Sequence, residues 1–165
     1  MWGHLSRYMT GKHLTGLWVA LVSMAPVGEL RGGVPLGIAL GLSPLEAVFW
    51  ATLGNLLVVF LLLWLLPWAV ERLSGWGLFR RGWEVLERRV RLKGEGQVQK
   101  LGALGLFLFV AVPLPGTGAW SGSVLAVVLG IKKRYALPAI LLGVGAAGVL
   151  VGPASAGVAA GLKKL

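Results

Sequence analysis

The sequence has no cysteine and no aspartate, and its only histidines are His4 and His13. Without cysteine there are no disulfides, thiolate metal sites or cysteine nucleophile. Without aspartate, and with histidine confined to the start, the usual acid–base pairs and metal-ligand clusters have almost nothing to be built from. The sequence therefore implies no metal or cofactor and does not read as an enzyme. Acidic residues of any kind are scarce: six Glu stand against sixteen Lys and Arg, a net charge of +10. Such a surplus seeks either nucleic acid or anionic lipid. The basic residues sit beside apolar runs, which points to lipid headgroups as the partner and away from nucleic acid.

Apolar residues are abundant. They make up 56% of the 165 residues, with a mean hydropathy of +0.80. That composition belongs to an all-α integral membrane protein, read here as one membrane domain over residues 1–165.

The chain is organised around Pro26-Val27-Gly28-Glu29-Leu30-Arg31-Gly32-Gly33-Val34-Pro35, which sets a carboxylate and a guanidinium within apolar sequence. Leu14–Ala25 precedes it and Leu36–Leu42 follows, and neither arm reaches the roughly 20 residues of an uninterrupted span. Two prolines and three glycines between the arms argue against one continuous helix and predict a non-helical tip. Such backbone is tolerated at depth only where protein buries it or water reaches it, and charges there line cavities or pair with each other.

Residues 1–13 are mixed in character. Ser23-Met24-Ala25 has the small residues of a signal-peptide cleavage site, but Pro26 directly after it and the repeat described below argue against a cleaved leader. Ser43-Pro44 reads as a helix start, with Ser43 as cap. Leu45–Val70 is long enough to cross a bilayer, and Asn55, the one polar side chain deep within it, suits a hydrogen bond to a neighbouring helix. In the segment 71–100, Phe79, Trp83, Leu86 and Val90 fall on one helical face. Glu84 with Arg88, and Glu87 with Arg91, are spaced for i,i+4 pairs. This predicts an amphipathic helix at the lipid surface, or one packed on a partner, ending at Gly94-Glu95-Gly96. Leu101–Val112 and Ser123–Ile131 are two more short arms, separated by Pro113–Gly122. Lys132-Lys133-Arg134 marks a water interface, and Ala136–Val151 is a last apolar run, small-residue and suited to close packing.

The two broken segments are copies. Shifting by 89 positions aligns Pro26 with Pro115, Gly33 with Gly122, Leu36 with Leu125, Leu40 with Leu129, Gly41 with Gly130 and Gly54 with Gly143. Unit one (14–70) and unit two (101–153) each read as a re-entrant helical hairpin followed by one transmembrane helix. The segment 71–100 links them and 154–165 forms a tail. One crossing per unit inverts the second copy, a recurring transporter design with its site at the midplane between the copies. The positive-inside rule then puts 71–100 and 132–134, with eleven Lys and Arg, in the cytoplasm. A plain four-crossing arrangement satisfies that rule equally well; the short broken arms favour hairpins.

In this geometry Gly32-Gly33 and Gly118–Ser121 lie at the starts of returning half-helices, whose free N–H groups favour an anion. Arg31 adds charge, and the hydroxyls of Thr117, Ser121 and Ser123 add donors. Glu29 either neutralises Arg31 or exchanges a proton during transport.

Glu29-Leu30-Arg31-Gly32-Gly33-Val34-Pro35 together with Pro113-Leu114-Pro115-Gly116-Thr117-Gly118-Ala119-Trp120 resembles the bacterial family of small multidrug export proteins, over nearly the whole chain. That family looks distantly related to the DedA and VTT-domain membrane proteins. The resemblance implies two facing re-entrant loops in a multi-pass protein of the bacterial cytoplasmic membrane, and a role in export or lipid translocation. Carried over by motif, the site residues are Glu29, Arg31, Gly32, Gly33 and Pro35 in the first loop. In the second they are Pro113, Pro115, Gly116, Thr117, Gly118, Trp120 and Ser121. DedA proteins place arginines near the second loop; this sequence has none there.

These readings converge on a proton-coupled transporter or lipid translocase for an anionic or amphipathic substrate. The alternative is a non-transporting module acting through its basic amphipathic helix. The glycine-rich last helix suits a homodimer without marking a face for it.

Overall fold

A computed structural model describes residues 2–114 and 116–162, which form seven α-helices and no strand. They are α1 (Trp2–Ser23), α2 (Glu29–Ala39), α3 (Pro44–Leu73), α4 (Gly77–Leu101), α5 (Ala103–Ala111), α6 (Ala119–Val128) and α7 (Lys133–Leu162). Among the described residues α3 and α7 are long and apolar enough to cross a membrane. The described chain divides into two compact units, Met1–Asn55 with Ala147–Leu165, and Leu56–Ala146.

The start of α3 is fixed locally. The Glu46 N–H donates to Ser43 Oγ at 3.3 Å and the Ser43 N–H donates to Glu46 Oε2 at 2.8 Å, a reciprocal capping box with Pro44 at the first helical position. Lys12 of α1 reaches the same carboxylate at 3.3 Å.

From there α1 and α3 run side by side in the same direction. Lys12 lies on Glu46, Gly16 under the Trp50 indole, and Gly54 against the Ala20 carbonyl, so each step of four along one helix matches four along the other. α2 runs against both: Gly37 packs on Ala47 and Val19, and Gly33 on Ala51 and Ser23. The break between α1 and α2 therefore lies beside Gly54 and Asn55, eleven residues past the start of α3. At about 1.5 Å per residue that is ~16 Å, half the roughly 30 Å apolar thickness of a bilayer.

The same arrangement recurs 89 residues on. Shifted by that amount, α3 (44–73) becomes 133–162, the bounds of α7, and α2 (29–39) falls within one residue of α6. The helix ends recur bond for bond. Leu40 N–H donates to Leu36, Gly41 to Ile38 and Leu42 to Gly37; Leu129 donates to Leu125, Gly130 to Val127 and Ile131 to Ala126. Gly41 and Gly130 both have positive φ, 91° and 64°. Gly122 packs on Ile140 and Val110, and Gly143 on Val110 and the Phe107 carbonyl, as Gly33 packs on Ala51 and Gly54 on Ala20.

The amphipathic linker differs from expectation in two ways. Gly94-Glu95-Gly96 does not end the helix; α4 continues to Leu101. Gly94 is buried against Leu125 and Phe109, so its missing side chain serves close packing, and Glu95 accepts hydrogen bonds from Arg91 and Gln99. Second, the buried stripe is Val90, Gly94 and Val98, and it packs on α5 and α6; the exposed part is the first half of α4. Glu87–Arg91 forms at 3.0 Å, whereas Glu84 turns to Arg80 at 3.7 Å in place of the expected Arg88. Arg91 also reaches Glu95 at 2.8 Å and the Val128 carbonyl, the last of α6, at 3.3 Å. The hydrogen bond that Arg91 donates to Glu87, with Glu95 adding charge, holds the Arg91 guanidinium above its usual range.

Candidate functional site at the helix breaks

The first break is shorter than the sequence suggests and lies earlier. Helix stops at Ser23 and resumes at Glu29, so Arg31, Gly32, Gly33 and Pro35 are inside α2. Gly32-Gly33 are its fourth and fifth residues, not its start. The reason is packing. Gly33 is buried where a side chain would run into Ser23 Oγ; together with Gly37 it lets α2 lie close on α1, as small residues do between membrane helices. Pro35 removes one N–H from the ladder, and the short helix continues around it. The turn itself is Met24–Gly28, with Val27 97% exposed at its tip.

Glu29 opens α2 and is 7% exposed. Its φ of +43° makes it the only non-glycine residue among those described with positive φ. An L-residue in that region costs about 1–2 kcal/mol, and such strain persists where the surroundings over-determine it. The Glu29 carboxylate acts electrostatically on the half-buried Arg31. Glu29 and Arg31 thus lie in the first turn of a helix and not on the non-helical tip expected for them. A carboxylate there also meets the positive end of α2.

Asn55 closes the break from α3. It is 2% exposed, and with its amide turned to suit its neighbours it donates to the Ser23 carbonyl at 2.6 Å and accepts from the Leu30 N–H at 3.1 Å. Those are groups that helix ends leave unsatisfied. Buried hydrogen bonds of this kind stabilise by about 0.5–1.5 kcal/mol each, enough to offset the left-handed residue next to Leu30. The sequence signalled Asn55 as a helix–helix hydrogen bond, not as part of this site.

The second break has the same place and a different chemistry. It runs from Val112 to Gly118, and α6 starts at Ala119, so Trp120 and Ser121 lie in its first turn as expected. Pro115 lies outside the described residues. At the positions equivalent to Glu29, Arg31 and Asn55 stand Gly118, Trp120 and Val144. Gly118 takes φ 140° and Gly116 φ 77°, conformations that glycine adopts without strain. Thr117 Oγ1 lies 2.8 Å from the Val112 carbonyl and 2.9 Å from that of Leu114. Ser123 Oγ donates to the Ala119 carbonyl at 2.7 Å, and Ser121 Oγ lies 3.5 Å from that of Gly118. The expected hydroxyl donors are thus turned back onto the chain's own carbonyls. Pro113 and Gly116 are exposed, Gly118 is buried, and Trp120 and Ser121 are half-buried. A cation that the sequence did not place here does arrive: Lys93 of α4 brings its Nζ against Gly116. It lies more than twenty residues upstream, so only tertiary packing reveals it.

No cluster of metal-binding side chains occurs among the described residues. Two long apolar helices, each preceded by a pair of helices around a break, define a helical membrane protein. Residues 29–150 match the sequence profile of the family described as "Putative small multi-drug export protein", and the chain belongs to that family. No curated protein and no solved structure matches it.

Proposed function

We propose that this protein is a transporter, not an enzyme, that moves an anionic or amphipathic small molecule or lipid across the bacterial cytoplasmic membrane, with Glu29 as its proton-exchanging group. In this reading α1–α2 and α5–α6 are re-entrant hairpins, each followed by one crossing, which inverts the second copy. The Lys and Arg residues of 71–100 and 132–134 then face the cytoplasm. One observation carries the proposal: a buried carboxylate in a strained conformation, beside Arg31, eleven residues along a helix long enough to span. In this reading Glu29 takes up and releases a proton as water and substrate come and go. Arg31 supplies the counter-charge for the substrate or for Glu29 in turn. The family's name supports export; substrate class and proton coupling come from the chemistry of the break.

The test is transport in proteoliposomes under an imposed proton gradient, with ethidium as amphipathic cation and anilinonaphthalene sulfonate as amphipathic anion. Glu29→Gln and Arg31→Ala each abolish transport while the protein still folds. Full activity of both variants overturns the assignment. A second reading rests on the exposed first half of α4, where Phe79 and Trp83 lie beside Arg80, Arg81, Arg88 and Arg89: a module working at the lipid surface. Replacing those four arginines with Gln leaves transport standing if the first reading holds, and removes all function if the second does.

A further inference from the structure

Asn55 belongs to the same site, and we infer that it is a positioning residue: its side chain sets the backbone of Glu29 and so the direction of the carboxylate. The inference rests on the reading of Glu29 given above, but its geometry stands apart from transport. The Leu30 N–H that Asn55 holds at 3.1 Å belongs to the peptide plane that follows Glu29. Fixing that plane fixes the ψ of Glu29, the one residue with an L side chain and positive φ among those described. The other end of the amide holds the Ser23 carbonyl at 2.6 Å, so one buried side chain clamps both lips of the break.

The second copy serves as a control within the molecule. There the residue equivalent to Glu29 is Gly118, which needs no clamp to adopt φ 140°, and the residue equivalent to Asn55 is Val144, buried and apolar. Clamp and strained carboxylate occur together in one copy and are both missing from the other. Gly54 makes the clamp geometrically feasible: with no side chain it lets α3 touch the Ala20 backbone, bringing Asn55 within reach of Ser23.

The test uses the full chain in nanodiscs, with Asn55→Leu as the near-isosteric variant that can neither donate nor accept. Hydrogen exchange at the Leu30 amide is expected to speed up at least about tenfold, ~1.4 kcal/mol of lost protection. The infrared band of the Glu29 carboxyl, assigned by its loss in Glu29→Gln, is expected to shift its titration midpoint by half a pH unit or more. In a Glu29→Gly background, where the left-handed backbone is unstrained, Asn55→Leu should lower the melting temperature by less than half of what it does alone. Where Asn55→Leu fails to insert, Asn55→Ser, which restores one donor, is read the same way. Unchanged exchange at Leu30, an unmoved Glu29 band or additive effects with Glu29→Gly each overturn the inference. If these readouts move while Glu29→Gln still transports at full rate, the positioning role stands and the transport role of Glu29 falls.

Discussion

The two breaks solve one structural problem by opposite means. Each interrupts a helix beside a longer neighbour, about a third of the way along it, and must satisfy the backbone groups that the interruption exposes. The second does so from within: Thr117 turns its hydroxyl onto carbonyls of its own turn, and glycines take up the positive φ angles. The first is closed from outside by Asn55, and it puts a buried glutamate where glycine would be unstrained. The first break thus carries a charge and a strained residue that the second does without.

The comparison breaks most sharply at Glu29. Glu29→Gln should cut proton-driven transport by about a hundredfold or more, ~2.7 kcal/mol in the barrier, while Gly118→Ala, its counterpart, should act chiefly on stability. Proteoliposome flux beside thermal unfolding separates the two. Next in size, Gly54→Val and Gly143→Val press a side chain into a neighbouring helix, Gly54 against Ala20 and Gly143 against Val110 and Phe107. Each should destabilise by about 2–3 kcal/mol, and a large inequality in detergent melts would show that the copies pack differently. Thr117→Val removes the internal closure of the second break and should cost about 1 kcal/mol with transport retained; if transport falls, the second break carries chemistry too. The smallest effect is expected from Arg91→Gln, because its pairs with Glu87 and Glu95 are partly solvated and screened. A melting temperature within about 2 °C of the parent is the outcome that fits.

Legibility from sequence followed the physical origin of each feature. Helix existence, the 89-residue period and the Ser43 start were readable because length, hydropathy and capping are local properties. Glycine was harder to interpret, since it breaks helices and also lets them pack. Gly32-Gly33 and Gly94 read as breakers, yet Gly33 and Gly94 mark close contacts within helices. Glu29 and Arg31 stood out because charge is conspicuous in apolar sequence. Asn55 stood out as well, but its role depends on a partner more than twenty residues away. Lys93 gave no signal at all.

Composition and periodicity act residue by residue, and they suffice to make the chain helical, internally repeated, charged at one broken segment and furnished with two membrane-length apolar helices. Three-dimensional packing settled where each break falls, that Glu29 is held in a left-handed conformation, and that Asn55 and Lys93 come to the breaks from other helices. Those outcomes depend on which backbones can approach one another, and the side-chain volumes that govern the approach lie far apart along the chain.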